Sequence, residues 1–302
     1  MLAIIAPGQG AQTPGMLTSW ISDVASRELL TNWSDAISLD LVHLGTNADA
    51  DEIKDTANAQ PLIVATSLIA AHALALTKVA VVSGHSVGEI TAAAICGALS
   101  PIDALTLVRR RGVEMAKAAA LHPAGMSAVL GGDRNEVVGA ITSLGLVAAN
   151  ENGAGQIVAA GDLSALAALA ENPPTGARVR ALAVAGAFHT SFMEPAVEPL
   201  RHLAATLTPL TPAFPVISNK DGAVINDGGH IVERIVNQIA NPVRWDLCMD
   251  SLESMGITGV IELAPAGTLV GLLKRAHPGI ESFALKSADD LAAAREFAGR
   301  HA

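Results

Sequence analysis

The chain has 302 residues and a formal net charge of −10, with half its residues hydrophobic, 16% charged and 3% aromatic. At about 150 residues per domain this is one large or two unequal domains, long enough to bury a core without disulfides or metals. It is too apolar to be disordered, and too acidic for a nucleic-acid binder, which needs a basic surface. Two cysteines, Cys96 and Cys248, make no disulfide framework and no metal cluster. They read as buried thiols of a reducing cytoplasm.

Leu2 to Ala6 is an apolar run stopped by Pro7-Gly8, a buried strand followed by a loop. It lacks a basic flank, so it does not read as a signal peptide. The longest apolar stretch, Leu62 to Leu76, contains Thr66, Ser67 and His72. It is shorter than the roughly 20 residues of a membrane span, so a buried helix over 61–76 is expected, in a soluble cytoplasmic protein with no membrane partner. Val79 to Ser83 is a second buried strand. Gly84-His85-Ser86-Val87-Gly88-Glu89 follows, then an alanine-rich helix to about Leu99. Pro101 opens another helix at its first position, running to about Ala120. Alternating strands and helices imply a parallel sheet covered on both faces.

After Pro123 the pattern changes. Strands are predicted at 126–130, 146–149, 156–160 and 178–184, with helices at 135–144 and 163–171. This β-α-β-β-α-β order is ferredoxin-like. From Thr190 the earlier style resumes: a helix to about Leu207, a strand at 216–218, helices at 229–240 and 246–255, a strand at 260–263 and a helix opened by Gly267. The expected architecture is α/β: a large, discontinuous α/β-hydrolase-like domain (1–124 and 189–302) with a small ferredoxin-like α+β domain (125–188) inserted.

Gly84-His85-Ser86-Val87-Gly88 is a G-x-S-x-G nucleophile elbow between strand and helix. Flanking glycines permit the tight turn, and the helix N-terminus offers free N–H groups to a developing oxyanion. A serine needs a base. Of nine histidines, His85 is expected to point away from its neighbour Ser86, and His72 to be a core residue of its apolar helix. His43, His122, His202, His230, His277 and His301 sit in polar or terminal surroundings. Spacing favours His189, which follows a strand at the junction back into the large domain, where ligand sites collect. In Arg109-Arg110-Arg111, helical geometry puts Arg110 on a polar face and Arg111 on an apolar stripe, where a guanidinium must meet an anion. Arg109 also lies on a fairly apolar stripe, so geometry excludes Arg110 more firmly than it selects Arg111.

Together these residues resemble the malonyl-CoA:acyl carrier protein transacylases. Pro7-Gly8-Gln9-Gly10-Ala11-Gln12 is similar to their GQGxQ signature, and Gly84 to Glu89 to their GHSxGE elbow. Arg109-Arg110-Arg111-Gly112 is similar to their arginine-glycine element, Gly186-Ala187-Phe188-His189 to GxFH, and Asn241-Pro242-Val243-Arg244-Trp245 to NPVxW. The resemblance implies Ser86 as nucleophile and His189 as base, oriented by a backbone carbonyl from the segment near Asn241. It implies an oxyanion hole of the Gln9 and Val87 N–H groups, and Arg111 on the malonyl carboxylate. Gln60 would line the pocket, and Phe188 would fill the space an α-methyl group needs. Asn152, in the small domain's Asn-Gly turn, is a further pocket candidate beside its plain reading as a turn residue.

The implied reaction passes malonyl from malonyl-CoA through Ser86 to the phosphopantetheine of acyl carrier protein, for fatty acid synthesis. No metal or cofactor is implied, and such proteins are commonly monomeric. The carrier is acidic, so a local basic patch must steer it, with Lys220, Lys274 and Arg275 as candidates. Two rival readings are a discrete malonyl acyltransferase of a polyketide synthase, and a serine thioesterase or esterase. The latter would need its acid from Asp103, Asp133 or Asp162.

Overall fold

The computed structural model describes residues 1–302. In chain order its elements are β1 (Leu2–Ala6), α1 (Val24–Ile37), α2 (Leu41–Thr46), α3 (Thr56–Leu74), β2 (Val81–Gly84), α4 (Gly88–Ile95) and α5 (Pro101–Ala119). There follow β3 (Ala124–Gly131), α6 (Arg134–Ser143), β4 (Val147–Glu151), β5 (Gln156–Asp162), α7 (Leu163–Glu171) and β6 (Ala177–Ala181). The last part comprises α8 (Glu194–Ala204), β7 (Val216–Ile217), β8 (Val224–Ile225), α9 (Gly228–Gln238), β9 (Val243–Arg244), α10 (Trp245–Ser254), β10 (Gly259–Glu262), α11 (Thr268–Ala276), β11 (Glu281–Ala284) and α12 (Leu291–His301).

The first sheet has the order β11-β10-β1-β2-β7-β8, parallel throughout except for β8. Every residue of β1, β2 and β10 is buried, as expected of strands covered by helices on both faces. The side chains on the two faces join two separate apolar clusters. Leu2, Ile4 and Val82 belong to the one containing α3 and α5, and Ala3, Ile5 and Val81 to the one containing α10 and α11. Local signals set the helix starts. Ser100 accepts from the Asp103 N–H at 3.0 Å with Pro101 at the first position, and Asp55 caps α3, Asp133 α6 and Asp162 α7. Helix α3 is long and apolar enough to cross a membrane, but 72% of its most apolar window is buried inside the protein.

The second sheet has the order β6-β3-β5-β4-β9. One face of β3 and β5 packs Val129 and Ile157 against Val137 and Ile141 of α6 and Leu166 and Leu169 of α7. The other face turns Met126 and Val158 towards the large core. The sheet therefore lies like a lid beside the C-terminal ends of β1 and β2, where ligand crevices form in α/β folds.

Three local expectations are corrected. The helix expected from Thr190 to Leu207 is a short 3-10 turn, Ser191–Met193, followed by α8, with Pro195 in its first turn. His72 is exposed, because its position in α3 faces outward. Val243–Arg244, from the returning segment, adds a fifth strand to the second sheet by pairing in parallel with β4.

Candidate active site

The chain turns sharply between β2 and α4. A Cβ on Gly84 would overlap the Gly88 carbonyl, and a Cβ on Gly88 would overlap the Ala6 carbonyl, so both positions demand glycine. Ser86 sits at the apex with φ of +53°, a conformation that non-glycine residues rarely adopt. Two amide side chains hold it there. Asn219 Oδ1 accepts the Ser86 N–H at 2.7 Å, and Gln238 Nε2 donates to the Ser86 carbonyl at 3.1 Å.

His189 is also left-handed, with φ of +63°. Its Nε2 lies 2.7 Å from Ser86 Oγ, and its Nδ1 lies 2.8 Å from the Gln238 carbonyl oxygen. That carbonyl can only accept, so Nδ1 carries the proton and Nε2 presents a bare lone pair to the serine. Burial, reinforced by the nearby Arg111 charge, pushes the imidazole down to about 3 against the smaller upward pull of the Gln238 carbonyl. His189 is neutral at pH 7 and able to take the hydroxyl proton. The orienting carbonyl thus belongs to Gln238 rather than Asn241. Asn241 lies past the end of α9, its backbone adds only a weaker pull, and its side chain donates to the Asn237 carbonyl at 2.7 Å.

The three arginines of α5 separate as helical geometry requires. Arg110 is exposed and pairs with Glu114, and Arg109 donates to the Ala57 carbonyl at 2.8 Å. Arg111 is 1% exposed. Its guanidinium donates to Gln60 Oε1 at 2.7 Å and Gln238 Oε1 at 2.9 Å, and Nη2 lies 3.4 Å from Ser86 Oγ. Burial lowers it to about 10, opposed by the Glu89 carboxylate, so it stays charged at neutral pH. Glu89, in the first turn of α4, is pushed up to about 7 by burial, against hydrogen bonds and the Arg111 charge that favour its ionised form.

Ser86 and His189 open onto a cleft of about 270 Å³ between the two sheets. Its lining includes Gln9, Gln60, His85, Ser86, Asn152, Phe188 and His189 from the candidates raised above, together with Met126 and Val158 of the second sheet. His85 does point away from Ser86, with its Nε2 2.8 Å from Asn152 Oδ1 and its ring edge-on to Trp245. Asn152 is buried and lines the cleft. Gln9 accepts from Gln60 Nε2 at 3.3 Å. The N–H of Gln9 follows β1 and that of Val87 opens α4, and neither has an acceptor within the chain. Sequence reasoning missed Asn219, Gln238 and Glu89 as members of the site. Glu89 closes the Gly84–Glu89 motif, and Asn219 follows β7 at a strand end, which are the two signals available.

The basic candidates divide. Lys274 and Arg275 are exposed in the last turn of α11, whose first turns supply Thr268, Leu269 and Leu272 to the cleft. Lys220 lines a separate groove with Arg234 and Arg244.

Residues 4–293 match the acyl transferase domain family. The malonyl CoA-acyl carrier protein transacylase of Mycobacterium tuberculosis is 50% identical over 296 residues, covering 96% of this chain and 98% of that one. A crystal structure of the M. tuberculosis enzyme superposes with a TM-score of 0.92 at 49% identity, covering 97% of this chain and 99% of the other. A malonyl-transacylase solved in complex with a type II polyketide synthase acyl carrier protein superposes with a TM-score of 0.93 at 26% identity, covering 98% and 99%.

Proposed function

The chain belongs to the acyl transferase family of the malonyl CoA-acyl carrier protein transacylases, and on that premise we propose that Ser86 carries malonyl from malonyl-CoA to the phosphopantetheine thiol of an acyl carrier protein. As Ser86 Oγ bonds to the thioester carbonyl carbon, His189 Nε2 takes its proton. The N–H groups of Gln9 and Val87 receive the negative oxygen, their lack of other acceptors leaving them free to do so. The tetrahedral intermediate expels the CoA sulfur, which takes the proton back from His189, leaving a malonyl ester on Ser86. The carrier thiol then attacks that ester, giving its proton to His189, and the serine oxygen leaves with it.

The observation that carries this reading is the Arg111 guanidinium, buried and charged, 3.4 Å from the serine oxygen. A malonyl ester on Ser86 places its free carboxylate within reach of that fork, where it forms charge-assisted hydrogen bonds. Acetyl has no such group and leaves the cation unpaired, the arrangement by which sites discriminate most strongly. Gln60 and Gln238 hold the guanidinium. Phe188, 5% exposed and lining the cleft, supports malonyl over an α-branched unit. Malonyl-CoA and the carrier are substrates, with no cofactor in the scheme, and the chain is taken to work as a cytoplasmic monomer.

The strand order β6-β3-β5-β4 with α6 and α7 on one face supports a ferredoxin-like unit over 125–188, set into an α/β-hydrolase-like part formed by 1–124 and 189–302. An α/β-type esterase is disfavoured by the atoms facing His189. Nδ1 meets a carbonyl, while Asp103 bonds Ser100 in the first turn of α5 and Asp133 and Asp162 cap α6 and α7. The likeness to a transacylase solved with a polyketide carrier protein keeps a polyketide role beside fatty acid synthesis. The test is steady-state transfer with both substrates varied. Parallel double-reciprocal lines support the covalent route, and malonate release that matches CoA release in the presence of carrier overturns it.

A further inference from the structure

We propose that Glu89 is a positioning residue for acyl selectivity: its carboxylate fixes the Gln238 side-chain amide so that the oxygen, not the nitrogen, faces Arg111. The inference rests on the reading of Arg111 given above. Glu89 is 3% exposed, and its two oxygens are both occupied by donors. Oε1 accepts the Asn219 N–H at 2.6 Å, and Oε2 accepts from Gln238 Nε2. The same Nε2 faces the Ser86 carbonyl and Asn219 Oδ1, so one end of the Gln238 amide sees only acceptors. The other end, Oε1, sees the Arg111 donor at 2.9 Å. A carboxylate is an acceptor at both oxygens, and no other side chain of this size offers that.

Replacing Glu89 by glutamine breaks the pattern in a defined way. The Asn219 N–H belongs to the backbone and cannot turn, so the new amide must give it the oxygen. Its NH₂ then meets the Gln238 NH₂, donor against donor, while the Ser86 carbonyl and Asn219 Oδ1 keep the nitrogen end of Gln238 from flipping. The Gln238 amide is pushed out of place, its Oε1 no longer sits on Arg111, and the fork is no longer held for a carboxylate. The Gln238 backbone carbonyl on His189 is unchanged by this side-chain shift. Malonyl transfer therefore suffers more than acetyl transfer, a split that a loss of general stability does not produce.

The experiment measures kcat/KM for acylation of the full-length enzyme by malonyl-CoA and by acetyl-CoA in Glu89→Gln, Gln238→Met and the double variant, with Arg111→Met beside them. Glu89→Gln is expected to lower the malonyl-to-acetyl ratio about tenfold, the order of one hydrogen bond to a charged group. Gln238→Met lowers it similarly. In the Gln238→Met background, Glu89→Gln changes the ratio by less than about twofold, because the amide through which it acts is gone. An unchanged ratio in Glu89→Gln overturns the proposal, as does an equal effect in both backgrounds, which would mean that the charge acts on Arg111 directly. Should Glu89→Gln fail to fold, an unchanged ratio in Gln238→Met overturns it alone. An unchanged ratio in Arg111→Met instead strikes the reading of Arg111 itself.

Discussion

Arg111→Met removes the charge and both hydrogen-bonding ends of a side chain 1% exposed, while keeping much of its volume. In the free site the guanidinium is held by two neutral amide oxygens at 2.7 and 2.9 Å and stays protonated at neutral pH. A malonyl carboxylate meeting that fork gains two charge-assisted hydrogen bonds. At about 1.5–3 kcal/mol each these are worth on the order of 3–6 kcal/mol. At about 1.4 kcal/mol per factor of ten, kcat/KM for malonyl-CoA should fall on the order of 10²- to 10⁴-fold. Acetyl-CoA gains nothing from the cation, so its kcat/KM should hold or rise. Glu89, left without its cation, takes up a proton more readily, which limits the loss of stability, and a thermal melt is the check that the variant is folded. The assay is CoA release in the first turnover with each substrate. An equal fall for malonyl-CoA and acetyl-CoA would show that Arg111 only supports the fold and would refute the argument.

Three more expectations follow from the geometry. His189 is held near 3 in the folded chain against 6.5 when free, so its neutral form gives its full stability above pH 6.5 and loses it as pH falls. Between pH 7.5 and 5 the protein should lose about 2 kcal/mol more unfolding free energy than His189→Gln, and equal pH dependence in urea melts would contradict this. Gly84→Ala drives a Cβ into the Gly88 carbonyl, which is backbone and cannot move aside, and should cost about 3 kcal/mol or more by urea unfolding. Replacing Lys274 and Arg275 with alanine should raise KM for acyl carrier protein while leaving self-malonylation by malonyl-CoA intact; equal KM values would remove them from the docking surface.

The parts of the site that repeat a local pattern were legible in the sequence. The buried run before Gly84 and the small residues after it mark a strand, a tight turn and a helix, and Ser100-Pro101 marks the start of α5. Helical period set Arg110 outward, beside Glu114, but left Arg109 and Arg111 both on apolar stripes, and the choice of Arg111 came from the family resemblance. What stayed hidden depends on contacts between distant segments. The His189 orienting group is a backbone carbonyl, and no side chain advertises which residue supplies it; sequence reasoning reached Asn241, three positions beyond Gln238. Asn219 and Gln238 read as surface amides until the fold brings them to Ser86, 133 and 152 residues away. The strand at Val216–Ile217 was expected, but Val224–Ile225 beside it and Val243–Arg244 on β4 are two residues long, too short for any periodicity, and exist because a neighbouring strand edge offers them hydrogen bonds. His72 faces outward because α3 is buried on most, not all, of its circumference.

The most direct test of the account is the mass of the intact protein after mixing with malonyl-CoA in the absence of carrier protein, with acetyl-CoA and Ser86→Ala run in parallel. The account predicts a single stable malonyl adduct on the parent chain, weak with acetyl-CoA and absent from Ser86→Ala. No adduct, with steady release of free malonate, would contradict it and make the protein a hydrolase.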